Sequence, residues 1–63
     1  MTKFEVYQDR AGNYRWRLKA VNGEIVAVSE GYTTRSGAKI SAEAVKRIAF
    51  SATIVDPVLR YMS

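Results

Sequence analysis

The sequence predicts a small α+β domain in which a three-stranded antiparallel meander is followed by one helix packed on one sheet face, in the order β-β-β-α. Two observations carry this prediction. Large apolar residues alternate with positive charges through Tyr14-Arg15-Trp16-Arg17-Leu18-Lys19-Ala20, which is the period of a strand with one buried face. A turn that contains glycine lies on each side of this run, at residues 9–13 and 21–23, and so makes it the central strand.

Length and composition limit how such a domain can be stabilised. The chain has 63 residues, so we expect residues 1–63 to form one domain. At this size folding buries only about 60% of the surface that the unfolded chain exposes. The sequence contains no cysteine and no histidine, which excludes disulfides, thiolate metal sites and the commonest general base. An efficient core or burial against a second copy must therefore supply the stability.

The net charge indicates which partners the protein could bind, and the N-terminal residues indicate its cellular compartment. Ten basic and six acidic residues give a formal net charge of +4, which permits binding to nucleic acid and is also normal for a small soluble domain. Met1-Thr2-Lys3 runs directly into the first predicted strand, and no stretch approaches the roughly 20 apolar residues of a membrane span. The expectation is a cytoplasmic protein without membrane contact.

The first hairpin has a clear predicted register. Its turn has Asp9 at the first position and Gly12 at the fourth, as a type I turn followed by a glycine bulge prefers. This turn pairs Phe4 with Leu18, Val6 with Trp16, Glu5 with Arg17 and Tyr7 with Arg15. Apolar side chains then meet each other and charges meet opposite charges or an aromatic ring, which supports the register.

The second hairpin allows two registers. A two-residue type I′ turn at Asn22-Gly23 pairs Leu18 with Ala27, whereas a type I turn with a bulge at the glycine pairs Leu18 with Val26. Only the second register places Val26 and Val28 on the apolar side. Because a shift of one residue exchanges the two faces of a strand, the pattern favours the bulged register.

The two predicted faces of the sheet differ in chemistry. The buried face carries Phe4, Val6, Trp16, Leu18, Val26 and Val28. The open face carries Glu5, Tyr7, Arg15, Arg17, Lys19, Ile25, Ala27 and Ser29. Arginines on such a face can reach guanine edges or phosphates in a DNA groove, although alternating charges also simply solvate the outer face of an antiparallel sheet. Tyr7, Arg15, Arg17 and Lys19 are therefore the candidate face for nucleic acid or another partner.

A helix follows the sheet. Gly31 lies at the corner and is free to take a positive φ, and Thr34 is a good N-cap for a helix from about Arg35 to about Ser51. Its predicted inner face consists of Ala38, Ser41, Ala42, Val45, Ile48, Ala49 and Ala52. Ile40 and Phe50 lie outside this face and would be wet in a monomer. Tyr32 is expected to pack over the helix start with its hydroxyl in water.

A family resemblance rests on Gly12, the run from Tyr14 to Ala20, Asn22-Gly23-Glu24 and Ser29-Glu30-Gly31-Tyr32. These residues resemble the signature of the YegP-like family of small uncharacterised proteins. The resemblance implies a β-β-β-α unit that occurs as a tandem pair or as a single copy, with single copies associating as homodimers. It implies no activity and no cofactor. This chain differs from the family pattern at Ile40, Ile48 and Phe50.

The acidic residues do not suggest catalysis. Glu5 faces Arg17, Asp9 belongs to its turn, and Glu24 and Glu30 flank the third strand too far apart to act as a pair. No histidine or cysteine is present to activate a serine, and the glycines make turns rather than a phosphate-binding loop. We therefore expect no catalytic residue, no metal site and no cofactor.

The favoured interpretation is that this chain is a non-catalytic module that associates with a second copy of itself. The third strand, Ile25–Val28, has no charge to discourage pairing at its edge, and the tail at residues 53–63 is apolar enough to dock. The candidate contacts of a homodimer are Ile25, Ala27, Ile40, Phe50, Ile54 and Leu59. A tail that folds back on its own helix or pairs with its own edge strand is the monomeric alternative. Nucleic-acid binding by the open face and a small-molecule site between two subunits are the other hypotheses.

Overall fold

The computed structural model, which describes residues 1–56, contains three strands and one helix. The elements are β1 (Lys3–Gln8), β2 (Tyr14–Lys19), β3 (Ile25–Val28) and α1 (Arg35–Ala49). The strands form one antiparallel sheet in the order β1-β2-β3, and α1 packs on one face of it. The predicted β-β-β-α meander is confirmed, with the helix ending at Ala49 rather than near Ser51.

The first hairpin has the predicted register. β1 and β2 pair Phe4 with Leu18, Val6 with Trp16, Glu5 with Arg17 and Tyr7 with Arg15. Asp9 closes the turn, because its Oδ1 accepts hydrogen bonds of 2.9 Å from the backbone N–H groups of Ala11 and Asn13. Gly12 takes a φ of 89°, the left-handed conformation that glycine adopts at no steric cost.

The second hairpin has the predicted turn but a different register beyond it. Gly23 takes a φ of 89° and Lys19 pairs with Ile25. One extra residue, Val26, then lies in β3 between two successive pairs, so that Leu18 pairs with Ala27 instead of Val26. The predicted register is therefore wrong past the turn. Ala27 lies on the helix-facing side, whereas Val26 and Val28 are exposed.

Contacts at the far end of β3 explain this second bulge. The Ser29 N–H donates to the Trp16 carbonyl at 2.9 Å, and the Ser29 hydroxyl accepts from the Trp16 N–H at 2.9 Å. These bonds hold Ser29 opposite Trp16, while the turn holds Lys19 opposite Ile25. The pairing at the turn and the pairing at Ser29 are out of register with each other by one residue. β3 accommodates this extra residue as a bulge at Val26.

The corner after β3 is held by a close backbone approach. Tyr14 and Tyr32 exchange both backbone hydrogen bonds at 2.7 Å. Gly31 does not take the positive φ that the sequence suggested. A Cβ atom at Gly31 would lie 3.0 Å from the Cβ of Asn13, so any larger residue there would have to displace the Asn13 side chain.

The core is small and centred on Trp16. Trp16, Ala38 and Ala42 are the buried apolar residues of the described part of the chain, and the edge of the indole meets the Phe4 ring with centroids 5.2 Å apart. The indole Nε1 donates to the Ser41 hydroxyl at 3.0 Å, and the Tyr32 hydroxyl donates to the same oxygen at 2.8 Å. The burial of Trp16 is confirmed, whereas the Tyr32 hydroxyl is hydrogen-bonded to protein and not simply wet.

The helix covers only part of the sheet. Thr34 caps α1 as predicted, since its Oγ1 accepts from the Gly37 N–H at 2.9 Å. Within the described residues, α1 contacts β1 and β2 and makes no contact with β3. Ile48, predicted on the inner face, is exposed, because the flank of α1 that carries it has no strand to pack against. Ile40 and Phe50 are exposed as expected.

Replacing Ser41 by Ala should lower the free energy of unfolding by about 1 to 2 kcal/mol, because the Trp16 and Tyr32 donors would lose their acceptor. Urea unfolding at one fixed protein concentration, followed by the fluorescence of the single tryptophan, measures this. The matched control is Ser36→Ala at an exposed helix position. Equal stability of the two variants would contradict the bridging role of Ser41.

Candidate functional site

The sheet face opposite α1 carries a cluster of charges that we call the charged face. The register brings side chains from β1 and β2 together there: Lys3, Glu5, Tyr7, Arg15, Arg17 and Lys19. The sequence predicted Tyr7, Arg15, Arg17 and Lys19 as a candidate binding face, and these residues do lie on one side of the two paired strands.

Glu5 is the centre of this cluster. Its carboxylate lies 2.8 Å from Nε of Arg17, 3.3 Å from Nζ of Lys3 and 3.9 Å from Nζ of Lys19. The Arg17 guanidinium also lies over the Tyr7 ring, 4.8 Å from the ring centroid, where the ring attracts a cation. Arg17 is therefore held by two neighbours and is not a freely extended side chain.

Arg15 is held in a similar way. Its Nε donates to Oδ2 of Asp9 at 2.7 Å, and its Nη1 donates to the backbone carbonyl of Ser29 at 2.9 Å. One guanidinium thus joins the first turn to the end of β3. Sequence reasoning missed the Asp9–Arg15 pair, although an acidic residue that opens a hairpin turn close to a cross-strand arginine could have indicated it.

These pairs shift the titration of both carboxyls. The hydrogen bond from Arg17, opposed by partial desolvation, holds the pKa of Glu5 below its ordinary value of 4.5. The hydrogen bond from Arg15 likewise holds the pKa of Asp9 below 3.8 and raises the pKa of Arg15. A general base at neutral pH needs a raised carboxyl pKa, so the arrangement suits fixed ion pairs.

Large apolar side chains are also exposed on β3, on α1 and in the segment after it. The exposed large apolar side chains include Ile25, Val26, Val28, Ile40, Ile48, Phe50, Ile54 and Val55. Of the candidate dimer contacts, Ile25, Ile40, Phe50 and Ile54 are exposed, Ala27 is half-buried on the helix-facing side, and Leu59 lies outside the described residues. Residues 53–56 of the tail are exposed, and the rest of it is not described.

An open groove of about 360 Å³ lies between β1 and α1. Its lining residues are Phe4, Val6, Lys39, Ala42, Glu43 and Lys46.

Residues 1–56 contain no group of histidine, cysteine, aspartate or glutamate side chains that could hold a metal ion. Over the same residues, no helix is long and apolar enough to cross a membrane.

The ion pairs of Glu5 and Asp9 should make the protein less stable in acid. A carboxyl whose pKa is lowered by folding contributes stability that is present above its ordinary pKa and is lost as the pH falls through the lowered value. We therefore expect the melting temperature to fall as the pH drops below 4.5, as circular dichroism can measure. Glu5→Gln should be less stable at neutral pH and show a shallower acid transition than the control Glu24→Gln. Identical pH profiles for the two variants would refute this.

Comparisons with known proteins show the family. The family described as Domain of unknown function (DUF1508) matches residues 9–56. A UPF0339 protein of Agrobacterium fabrum is 50% identical over 56 residues, which cover 89% of this chain and 90% of the relative. A UPF0339 protein of Methanosarcina acetivorans is 49% identical over 55 residues, covering 87% and 95%.

Two solved structures are similar in fold and in sequence. The solution structure of a protein from Haloferax volcanii has a TM-score of 0.80 and 45% identity, and the match covers 87% of this chain and 93% of that one. The solution structure of a protein from Agrobacterium tumefaciens has a TM-score of 0.75 and 47% identity, covering 95% and 97%. These matches confirm the family resemblance noted in the sequence, and the chain belongs to the DUF1508 (UPF0339) family.

Proposed function

We propose that this chain is a non-catalytic module that acts through association with a second copy of itself. The observation that carries the proposal is the incomplete cover of the sheet by α1, which contacts β1 and β2 and leaves out β3. The flank of α1 beside β3, which carries Ile48, is consequently exposed, and Ala27 on the helix-facing side of β3 is only half-buried.

The energetics of a short chain favour such an association. Among residues 1–56, three apolar residues are buried in the core, and no disulfide is available to supplement it. Each Å² of apolar surface removed from water stabilises by about 25 cal/mol. A second copy can supply burial that a chain of this length does not achieve alone.

The bulge in β3 bears on how two copies would meet. An unpaired strand edge without charges invites pairing with another chain, but a bulge bends the strand and disrupts the regular ladder. Val26 is such a bulge in β3. Association through the uncovered helix-facing surface therefore fits the fold better than extension of the sheet from β3 to β3.

A longer relative is consistent with a unit that pairs. A UPF0339 protein from Stutzerimonas stutzeri matches this chain over 44 residues, which make up 40% of its length. The remainder of that protein is long enough for a second unit of the same size.

The absence of catalysis is supported by the lowered pKa values of Glu5 and Asp9, which lack the raised pKa of a general base.

Nucleic-acid binding by the charged face is the second candidate. It is favoured by the four cations that the sheet gathers on one side, Lys3, Arg15, Arg17 and Lys19. Glu5 and Asp9 oppose it, because each already holds one of the arginines within 2.8 Å. Reading a base edge or a phosphate would require these pairs to break.

Self-association is tested by sedimentation equilibrium at micromolar concentration. We expect a mass of twice 7.1 kDa, because the uncovered apolar surface favours a closed twofold pair. A mass of 7.1 kDa that persists across the concentration range would rule out the proposed function.

The nucleic-acid candidate is tested with the triple variant Arg15→Gln/Arg17→Gln/Lys19→Gln and fluorescence anisotropy of duplex DNA across salt concentrations. The control Lys39→Gln/Lys46→Gln/Arg47→Gln removes the same charge from α1. We expect both variants and the parent to bind equally weakly, because the carboxylates occupy the arginines. A steep salt dependence in the parent that only the charged-face variant loses would favour the second candidate instead.

A further inference from the structure

We propose that Asn22 is a site of spontaneous covalent modification, at which water replaces the side-chain amide and part of the product carries an isoaspartyl linkage to Gly23. The proposal is independent of self-association. Asn22 and Gly23 are exposed at the tip of the second hairpin, and a Cβ atom at Gly23 would meet nothing within 4 Å. No side chain therefore crowds the peptide nitrogen of Gly23, which is the nucleophile of this reaction.

The reaction consumes one water molecule and releases one ammonia molecule. The Gly23 nitrogen gives its proton to a solvent base and attacks Cγ of Asn22, which forms a C–N bond and closes a cyclic imide. The Cγ–Nδ2 bond then breaks, and Nδ2 leaves as ammonia with a proton from water. Water opens the imide at either carbonyl. Attack at Cγ gives an ordinary aspartyl residue, whereas attack at the backbone carbonyl carbon gives isoaspartate, whose chain continues through the side chain.

The turn brings the two reacting groups together. The Oδ1 atom of Asn22 accepts a hydrogen bond of 3.1 Å from the Glu24 N–H. Because this bond spans Gly23, it holds the side-chain carbonyl of Asn22 close to the peptide that follows it. The same N–H points at the oxygen on which negative charge develops during the attack, and such a donor stabilises the intermediate. The Gly23 N–H donates to the Ala20 carbonyl at 2.9 Å, so the attack begins when this single turn bond opens.

The other asparagine of the chain is protected by its surroundings. Asn13 is half-buried, and a Cβ atom at Gly31 would lie 3.3 Å from its Cγ, so the backbone packs against its amide. The nitrogen that would attack belongs to Tyr14, whose N–H donates to the Tyr32 carbonyl at 2.7 Å. Exposed turns open far more often than backbone pairs held inside a domain. The structure therefore favours reaction at Asn22 over reaction at Asn13.

Isoaspartate at this position would loosen the start of β3. It adds one carbon atom to the backbone of a turn whose hydrogen bonds depend on the present spacing. The bond from the Ala20 N–H to the Glu24 carbonyl, 2.8 Å long, closes this turn together with the bond from Gly23. The bonds of Ser29 at the other end of β3 involve no atom of the turn. The modified chain would therefore keep its third strand and lose the anchor at the turn.

The site of reaction is tested by incubating the folded parent at mildly alkaline pH and mapping tryptic peptides against an unincubated sample. Cleavage after arginine and lysine separates residues 11–15 from residues 20–35, so the two asparagines report independently. We expect the 20–35 peptide to yield an aspartyl and an isoaspartyl product of equal mass, while the 11–15 peptide stays unchanged. Asn22→Gln should lose this conversion, because its longer side chain does not close the same ring. An unmodified 20–35 peptide would refute the proposal.

The contribution of the fold is measured by repeating the incubation in urea. In the unfolded chain the two asparagines differ mainly through the residue that follows each, glycine or tyrosine. The ratio of the Asn22 rate to the Asn13 rate should be about tenfold or more larger in the folded protein, because the exposed turn opens more often than the pair at Tyr14. Equal ratios in the two states would overturn the structural argument and leave only a property of the dipeptide.

The loosening of the hairpin is tested on the isoaspartyl form, purified by chromatography. The matched control is freshly purified Asn22→Asp, which has the same new charge and an unchanged backbone. We expect a lower melting temperature for the isoaspartyl form by circular dichroism. Amide hydrogen exchange should accelerate at Ala20 and stay unchanged at Ser29, which distinguishes a loosened turn from general unfolding. Equal melting temperatures, or equal acceleration at both amides, would contradict the proposed loosening.

Discussion

The contact on which the rest of this fold depends is the hydrogen bond from the Trp16 indole to the hydroxyl of Ser41. It is the polar end of the most buried large side chain in the described part of the protein, and it ties the middle of the helix to the central strand. Tyr32 donates to the same hydroxyl, so the chain segment after β3 is drawn to the same point. Alanines at positions 38 and 42 let the helix lie close to the sheet around the indole. The position of α1 over β2 and β1 follows from this anchor, and the lack of cover over β3 follows from that position.

The charged face lies on the side of the sheet opposite this core and is held together by its own contacts. On the other side of the sheet, Glu5 and Asp9 gather the cations of β1 and β2 into short ion pairs. These carboxylates are half-buried and still reach water, so each ion pair adds only modestly to stability. Arg15 connects the first turn to the end of β3, and it thereby helps to hold Ser29 opposite Trp16. The two faces are linked through this residue, although one is apolar and the other charged.

Much of the fold could be predicted from alternation and turn chemistry, because both are local. The pairing of β1 with β2 depended on an aspartate and a glycine at fixed turn positions, and it was correct in every pair. The β2–β3 register was wrong because it depended on two distant anchors, the turn at Gly23 and the serine at position 29, and the pattern showed only the first. For the same reason Val26 and Val28 were assigned to the core although they are exposed. Ile48 was assigned to the core because helical periodicity predicts which residues share an inner face but not how many strands lie beneath that face.

The residues of the charged face were predicted correctly from alternation along the strands. The ion pairs that Glu5 and Asp9 make with its arginines depend on side-chain geometry, which sequence spacing does not reveal.

The extra residue at Val26 has a consequence for the shape of the whole unit. A bulge bends its strand and increases the local right-handed twist, and this one lies in the strand that the helix does not cover. The fifteen residues of α1 lie over β1 and β2, the two strands that pair without an irregularity. Within the described residues, the sheet is thus one strand wider than the surface that its helix covers. Under the proposed self-association, a twofold axis would add a second helix over this wider sheet without any change in the sequence.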